Sequence, residues 1–139
     1  MSKAQQRTAV HVVAAVLSDA DGRVLLAQRP AGKHLAGGWE FPGGKLEAGE
    51  GRLEGLRREL LEEIGVMLEA ARPLMRLTHV YPDRDIDLDV WLVTGYRGEP
   101  RGHEGQQLRW CRRDELMQAD LLPADAPIAD ILMGKEPGA

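Results

Sequence analysis

The sequence predicts an α/β or α+β sandwich in which sheet packs between helices. Three observations carry that expectation. Val- and Ala-rich segments separated by turn chemistry occupy 8–28, and a long helical pattern ending at Gly65 comes after them. Strand patterns return over 74–96, and a short helical stretch falls at 128–133. With 139 residues and 43% apolar content, the chain suits a single domain, 1–139, with its own core.

The first strand is expected from about Thr8 to Ser18, with Asp19 to Gly22 as its turn and Val24 to Gln28 as the second strand. Arg29 then stands at a strand end. Pro30 to Gly38, with Gly32, Gly37, Gly38, Lys33 and His34, reads as a mobile loop of a length more often functional than filler. Trp39-Glu40-Phe41-Pro42 is a short strand feeding a Gly43-Gly44 turn. Two adjacent glycines let backbone approach a ligand closely, and the Gly43 carbonyl is a candidate metal donor.

The helix after that turn rests on Leu53, Leu56, Leu60 and Ile64, spaced as one buried face, and Gly65 stops it. Glu59, Glu62 and Glu63 lie at i, i+3 and i+4, so they share a face turned away from the leucines. Like charges this close repel, and a hard divalent cation such as Mg2+ or Mn2+ relieves them. A solvated acidic face balanced by Arg52, Arg57 and Arg58 is the alternative. The glycine turn, and Glu50 at the mouth of the helix, favour the metal.

Further on, 74–81 and 86–96 are expected strands joined by Pro82-Asp83-Arg84-Asp85, and Ile86 to Val90 alternates as a strand with one wet face. Gly98 to Gln106 is a polar loop carrying His103 and Glu104. A short strand over 107–111, a helical turn opened by Asp114, the segment Leu121 to Pro127 and a helix over 128–133 complete the pattern, with a frayed tail from Gly134.

Composition narrows function. A net charge of −4 argues against a surface for polymeric nucleic acid, which needs clustered Lys and Arg, yet leaves a single small nucleotide possible. The one cysteine, Cys111, has no internal disulfide partner and is expected to be buried packing. The apolar run Ala9 to Leu17 is interrupted by His11 and followed by an acidic turn. No membrane span and a cytoplasmic location are therefore expected, for a monomer or weak dimer.

From Gly44 to Val66 the residues match the pattern Gly-x5-Glu-x7-Arg-Glu-U-x-Glu-Glu-x-Gly-U, with U apolar, through Gly44, Glu50, Arg58, Glu59, Leu60, Glu62, Glu63, Gly65 and Val66. Nine positions at fixed spacing make a specific signal. In this the chain resembles the Nudix hydrolases, which implies a mixed sheet flanked by helices and a loop-helix-loop box. It also implies hydrolysis of a nucleoside diphosphate linked to another group, with divalent metal. WEFPGGKLEAGE, YPDRDI, GEPRGHEGQ and PADAP, in that order, resemble the family's MutT-type 8-oxo-dGTP diphosphatases.

Carried over by residue, the resemblance implies that the Gly43 carbonyl, Glu59, Glu62, Glu63 and Glu104 bind metal, with Glu59 and Glu104 both candidates for the base. Glu50 and Arg58 are expected to pair and pin the loop to the helix, with Gly44 and Gly65 supporting the box. Arg29 becomes a phosphate or nucleotide contact. Phe41, Arg84 and Asp125 fall at base-pocket positions. The MutT-type pattern has asparagine at Asp125, so a base edge there meets acceptors only, unless a raised pKa keeps the acid protonated. Asp125 also has the alternative of capping the last helix.

Overall fold

The computed structural model describes residues 9–33 and 35–134. The expected strand start at Thr8, His34 in the glycine-rich loop and the tail beyond Gly134 lie outside them. The strands are β1 (Ala9–Val16), β2 (Val24–Gln28), β3 (Trp39–Glu40), β4 (Gly43–Lys45), β5 (Met67–Val80), β6 (Asp85–Arg97) and β7 (Leu108–Cys111). Helix α1 spans Arg52–Ile64, helix α2 spans Ala126–Leu132, and 3-10 turns cover Arg113–Gln118 and Pro123–Asp125.

A four-stranded mixed sheet has the order β4-β1-β6-β5, with β1 parallel to β6 and the other pairs antiparallel. A second, antiparallel sheet has the order β3-β2-β7. Alternation along β1 explains the layering. Val13, Ala15 and Leu17 face one way, onto Leu56, Leu60 and Ile64 of α1. Ala14 and Val16 face the other way, in a core with Phe41, Val90, Cys111, Leu116 and Ile128 of α2. The expected sandwich of sheet between helices is what forms, and Cys111 is buried as expected.

Four local expectations are corrected. Gly43 and Gly44 lie in strand β4, paired with Ala14 and Val13 of β1, where a turn was expected. A side chain at Gly43 would collide with the Val13 carbonyl, so its glycine serves strand pairing. Strand β3 ends at Glu40 because the Phe41 N–H goes to a side chain and Pro42 has no N–H to give.

Strand β5 begins at Met67, not near Leu74, and runs through Pro73. It is an edge strand whose pairing with β6 shifts register between Pro73 and Met75, so the missing N–H is tolerated. Helix α2 starts at Ala126, not at Ile128, since Pro127 fits a first helical turn.

Candidate active site

Helix α1 is closed at its end by Gly65, whose φ of 70° is left-handed and whose N–H bonds back to the Leu60 and Leu61 carbonyls. Its inner face packs on β1, and this sets where its glutamates point. Glu59 was expected on a face turned well away from the leucines. It is instead only 8% exposed. A side chain at Gly44 would overlap the Glu59 carboxylate, so glycine there is what admits it beneath β4.

Arg58 holds this arrangement together. Its Nε and Nη2 donate to Glu50 Oε2 and Oε1 at 2.7 and 2.9 Å, in a bidentate fork. Nη2 also donates to the Lys45 carbonyl of β4 at 3.1 Å. Nη1 reaches Glu59 Oε1 at 3.0 Å and Glu62 Oε2 at 3.2 Å. One guanidinium thus ties helix, loop and strand, and it holds the Glu50 carboxyl down at about 2. Glu62 is drawn to Arg58 and lies largely in solvent.

Glu104 approaches from far along the chain. The loop between β6 and β7 docks on the C-terminal end of α1, where Arg101 N donates to the Ile64 carbonyl and His103 N to the Glu63 carbonyl, both at 3.0 Å. Those carbonyls have no partner within the helix, so the loop satisfies them. A Cβ at Gly65 would stand 2.6 Å from the His103 ring, so glycine also leaves the loop its seat. Burial, then the charges of Glu59, Glu104 and Glu40, push the Glu63 carboxyl up to about 8.

A cavity of about 600 Å³ brings some of these groups to the other expected residues, but Glu62, like Glu50 and Arg58, does not line it. Gly43, Gly44, Glu59, Glu63 and Glu104 line one part, and Arg29, Phe41, Arg84 and Asp125 also line it. Among the described residues, no three His, Cys, Asp or Glu side chains stand close enough together, as placed, to hold a metal ion. The donor set nevertheless fits a hard divalent cation. Its atoms are oxygens, and a carboxyl driven to hold a proton marks an excess of negative charge.

At the other end, Asp125 is 6% exposed, and its Oδ2 accepts the Phe41 N–H at 2.8 Å across 84 residues of sequence. Helix α2 has no side-chain cap, so the capping alternative is not realised. Burial pushes the Asp125 carboxyl up to about 7, with the Phe41 N–H pulling the other way and Glu40 adding to the rise. Arg29 Nη1 lies 3.4 Å from Glu40 Oε2. Arg84 Nε is buried with no hydrogen-bond partner among the described residues, its neighbour Asp83 Oδ2 standing 3.8 Å away.

Glu40, Tyr81 and Gln106 are among the further residues lining the cavity that the sequence had not singled out. Glu40 is next to Phe41, and burial raises its carboxyl. The Tyr81 hydroxyl accepts the Ala124 N–H at 3.4 Å, beside Asp125. Gln106 reaches back to α1. Their positions inside WEFPGG, YPDRDI and GEPRGHEGQ were the available signal.

Sheet, helix and box together define a Nudix fold. A sequence profile of the NUDIX domain matches residues 13–130, and the chain belongs to the Nudix family of hydrolases. Its relatives narrow the type. The CTP pyrophosphohydrolase of Escherichia coli (strain K12) is 40% identical over 124 residues, covering 89% of this chain and 91% of that protein. The 8-oxo-dGTP diphosphatase of Proteus vulgaris is 41% identical over 108 residues, covering 78% and 93%. A solved MutT structure, from work on Aliivibrio salmonicida and Vibrio cholerae, has a TM-score of 0.80 at 33% identity, covering 91% of this chain and 98% of that one. Among the described residues, no helix is long and apolar enough to cross a membrane.

Proposed function

We propose that this enzyme hydrolyses a nucleoside triphosphate to the monophosphate and pyrophosphate, with Mg2+ or Mn2+ and with 8-oxo-dGTP as its substrate, so removing an oxidised nucleotide from the pool used for DNA synthesis. The observation that carries this is one cavity lined by Glu59 and Glu63 of α1, by Glu104 and by the buried Asp125, whose carboxyl burial pushes up to about 7. Glu59, Glu62, Glu63, Glu104 and the Gly43 carbonyl would hold metal. When bound, a divalent ion neutralises phosphate charge and activates water.

The chain's own groups then divide the work. Glu59 Oε1 already accepts from Arg58, which suits a fixed ligand. Glu104, on an exposed loop, takes the proton of a water attacking the β-phosphorus in line. Arg29 and Arg84 offer guanidinium donors to phosphate or base.

Base choice follows from Asp125. Guanine presents N7 and O6, two acceptors side by side, whereas 8-oxoguanine presents N7–H beside O6. With Oδ2 engaged by Phe41, a protonated Asp125 keeps Oδ1 to serve a donor-beside-acceptor edge, and an ionised one repels both guanine acceptors. Cytosine shows the same pattern in N4–H2 beside N3. That shared edge, with the 40% identity to a CTP pyrophosphohydrolase, favours CTP as the second reading.

Pyrophosphate release from 8-oxo-dGTP, dGTP and CTP, by wild type and Asp125→Ala, tests both. We expect 8-oxo-dGTP to have the highest kcat/KM and to lose roughly tenfold to a hundredfold of it in the variant, with dGTP little changed. CTP as the better substrate would replace the first reading with the second. An equal loss for all three would make Asp125 a wall of the pocket and no reader of bases.

A further inference from the structure

We infer that Gln106 is a positioning residue that sets Glu104 against Glu63, so that the two carboxylates act on one metal ion. Its side chain spans both. Gln106 Oε1 accepts the Glu104 N–H at 2.9 Å. Gln106 Nε2 donates to the Glu63 carbonyl at 3.2 Å. A primary amide suits this task because it offers an acceptor and a donor from one planar group. A carboxylate at this position would lack the donor, and an apolar side chain would lack both.

The surroundings are shaped for that clamp. The Glu63 carbonyl is one of the unpaired groups at the end of α1, and it takes both the Gln106 amide and the His103 N–H. Gly105 N donates to the Gly102 carbonyl at 3.1 Å, closing a tight turn around Glu104. A side chain at Gly102 would collide with the Gln106 carbonyl, so the turn closes only over glycine. Next along the chain, the Gln107 carbonyl accepts the Gln28 N–H at 2.9 Å and anchors the loop to β2. Glu104 is thereby attached to the same helix end that carries Glu63. Its own side chain is exposed.

This inference rests on Glu104 and Glu63 both serving the metal site proposed above, and the test separates the two. Mn2+ binding is measured by electron paramagnetic resonance, without substrate, for wild type, Glu104→Gln, Gln106→Met and the double variant. Gln106→Met keeps length and loses both hydrogen bonds, and Gln106→Ala replaces it if it does not fold. The positioning role predicts about tenfold weaker Mn2+ binding for Gln106→Met, the range seen when groups that orient a ligand are lost. It also predicts no further effect of Gln106→Met once Glu104 is Gln, because the clamp then has no ligand to aim. Unchanged binding in Glu104→Gln would overturn the metal-site assignment of Glu104. Weakened binding in Glu104→Gln, with unchanged binding in Gln106→Met, would overturn the role of Gln106 alone. Equal losses from Gln106→Met in both backgrounds would reduce Gln106 to general support of the loop.

Discussion

Asp125→Asn probes the buried acid through stability as well as chemistry. Burial pushes the Asp125 carboxyl from an ordinary value of 3.8 up to about 7. The unfolded chain loses that proton near the ordinary value, so across this window the native state binds more protons than the unfolded state. The contribution is fully present below 3.8 and is lost as pH rises to about 7, above which both states are ionised and the curve flattens. About three pH units at about 1.4 kcal/mol each amount to roughly 4 kcal/mol, an upper bound because a compact unfolded state already shields the acid. Asparagine is neutral throughout, keeps an oxygen to accept the Phe41 N–H, and removes this dependence. Urea unfolding of both proteins at about pH 4.5, 6, 7.5 and 9 measures the difference directly. Wild type should lose several kcal/mol relative to Asp125→Asn between the first and third points, then run parallel. The rise at Glu63 has the same sign but cancels, being common to both proteins. Parallel behaviour at every pH would show that Asp125 ionises normally, and the protonated reader of the base edge would fall with it.

Two further expectations concern the metal end. If the proposed metal site holds, Glu59→Gln and Glu62→Gln should leave far-UV circular dichroism unchanged, an amide oxygen at 59 still accepting from Arg58, while pyrophosphate release falls by orders of magnitude. Near-normal turnover in either would remove that glutamate from the site. The Glu63 carboxyl, pushed up to about 8 by burial and by Glu59 and Glu104, should give up close to one proton when Mn2+ binds at about pH 7. Calorimetric titration in two buffers of different ionisation heat counts that proton, and a count near zero would exclude Glu63 as a ligand.

Helix α1, its glycine stop, the glutamate spacing and the family were legible in the sequence because each depends on residues within a few positions of one another. Leu56, Leu60 and Ile64, four apart, form the buried face, whereas Leu53, expected with them, lies at the helix start and is exposed, and the box motif lies inside that same segment. The hairpin residues around Asp19 to Gly22 were legible for the same reason. What lay beyond sequence was set by contacts between distant segments. Gly43 and Gly44 read as a turn and proved to be strand, since only the backbone of β1 and the carboxylate of Glu59 show why side chains are excluded there. Pro73 hid the first half of β5, whose place at a sheet edge removes the penalty a proline carries elsewhere. Glu104 stands near Glu63 because the loop satisfies carbonyls at a helix end, with Gln106 bridging 43 residues of sequence to do so. The Asp125 carboxyl is pushed up to about 7 because folding buries it, 84 residues from the Phe41 N–H it accepts, and burial exists only once the chain has packed.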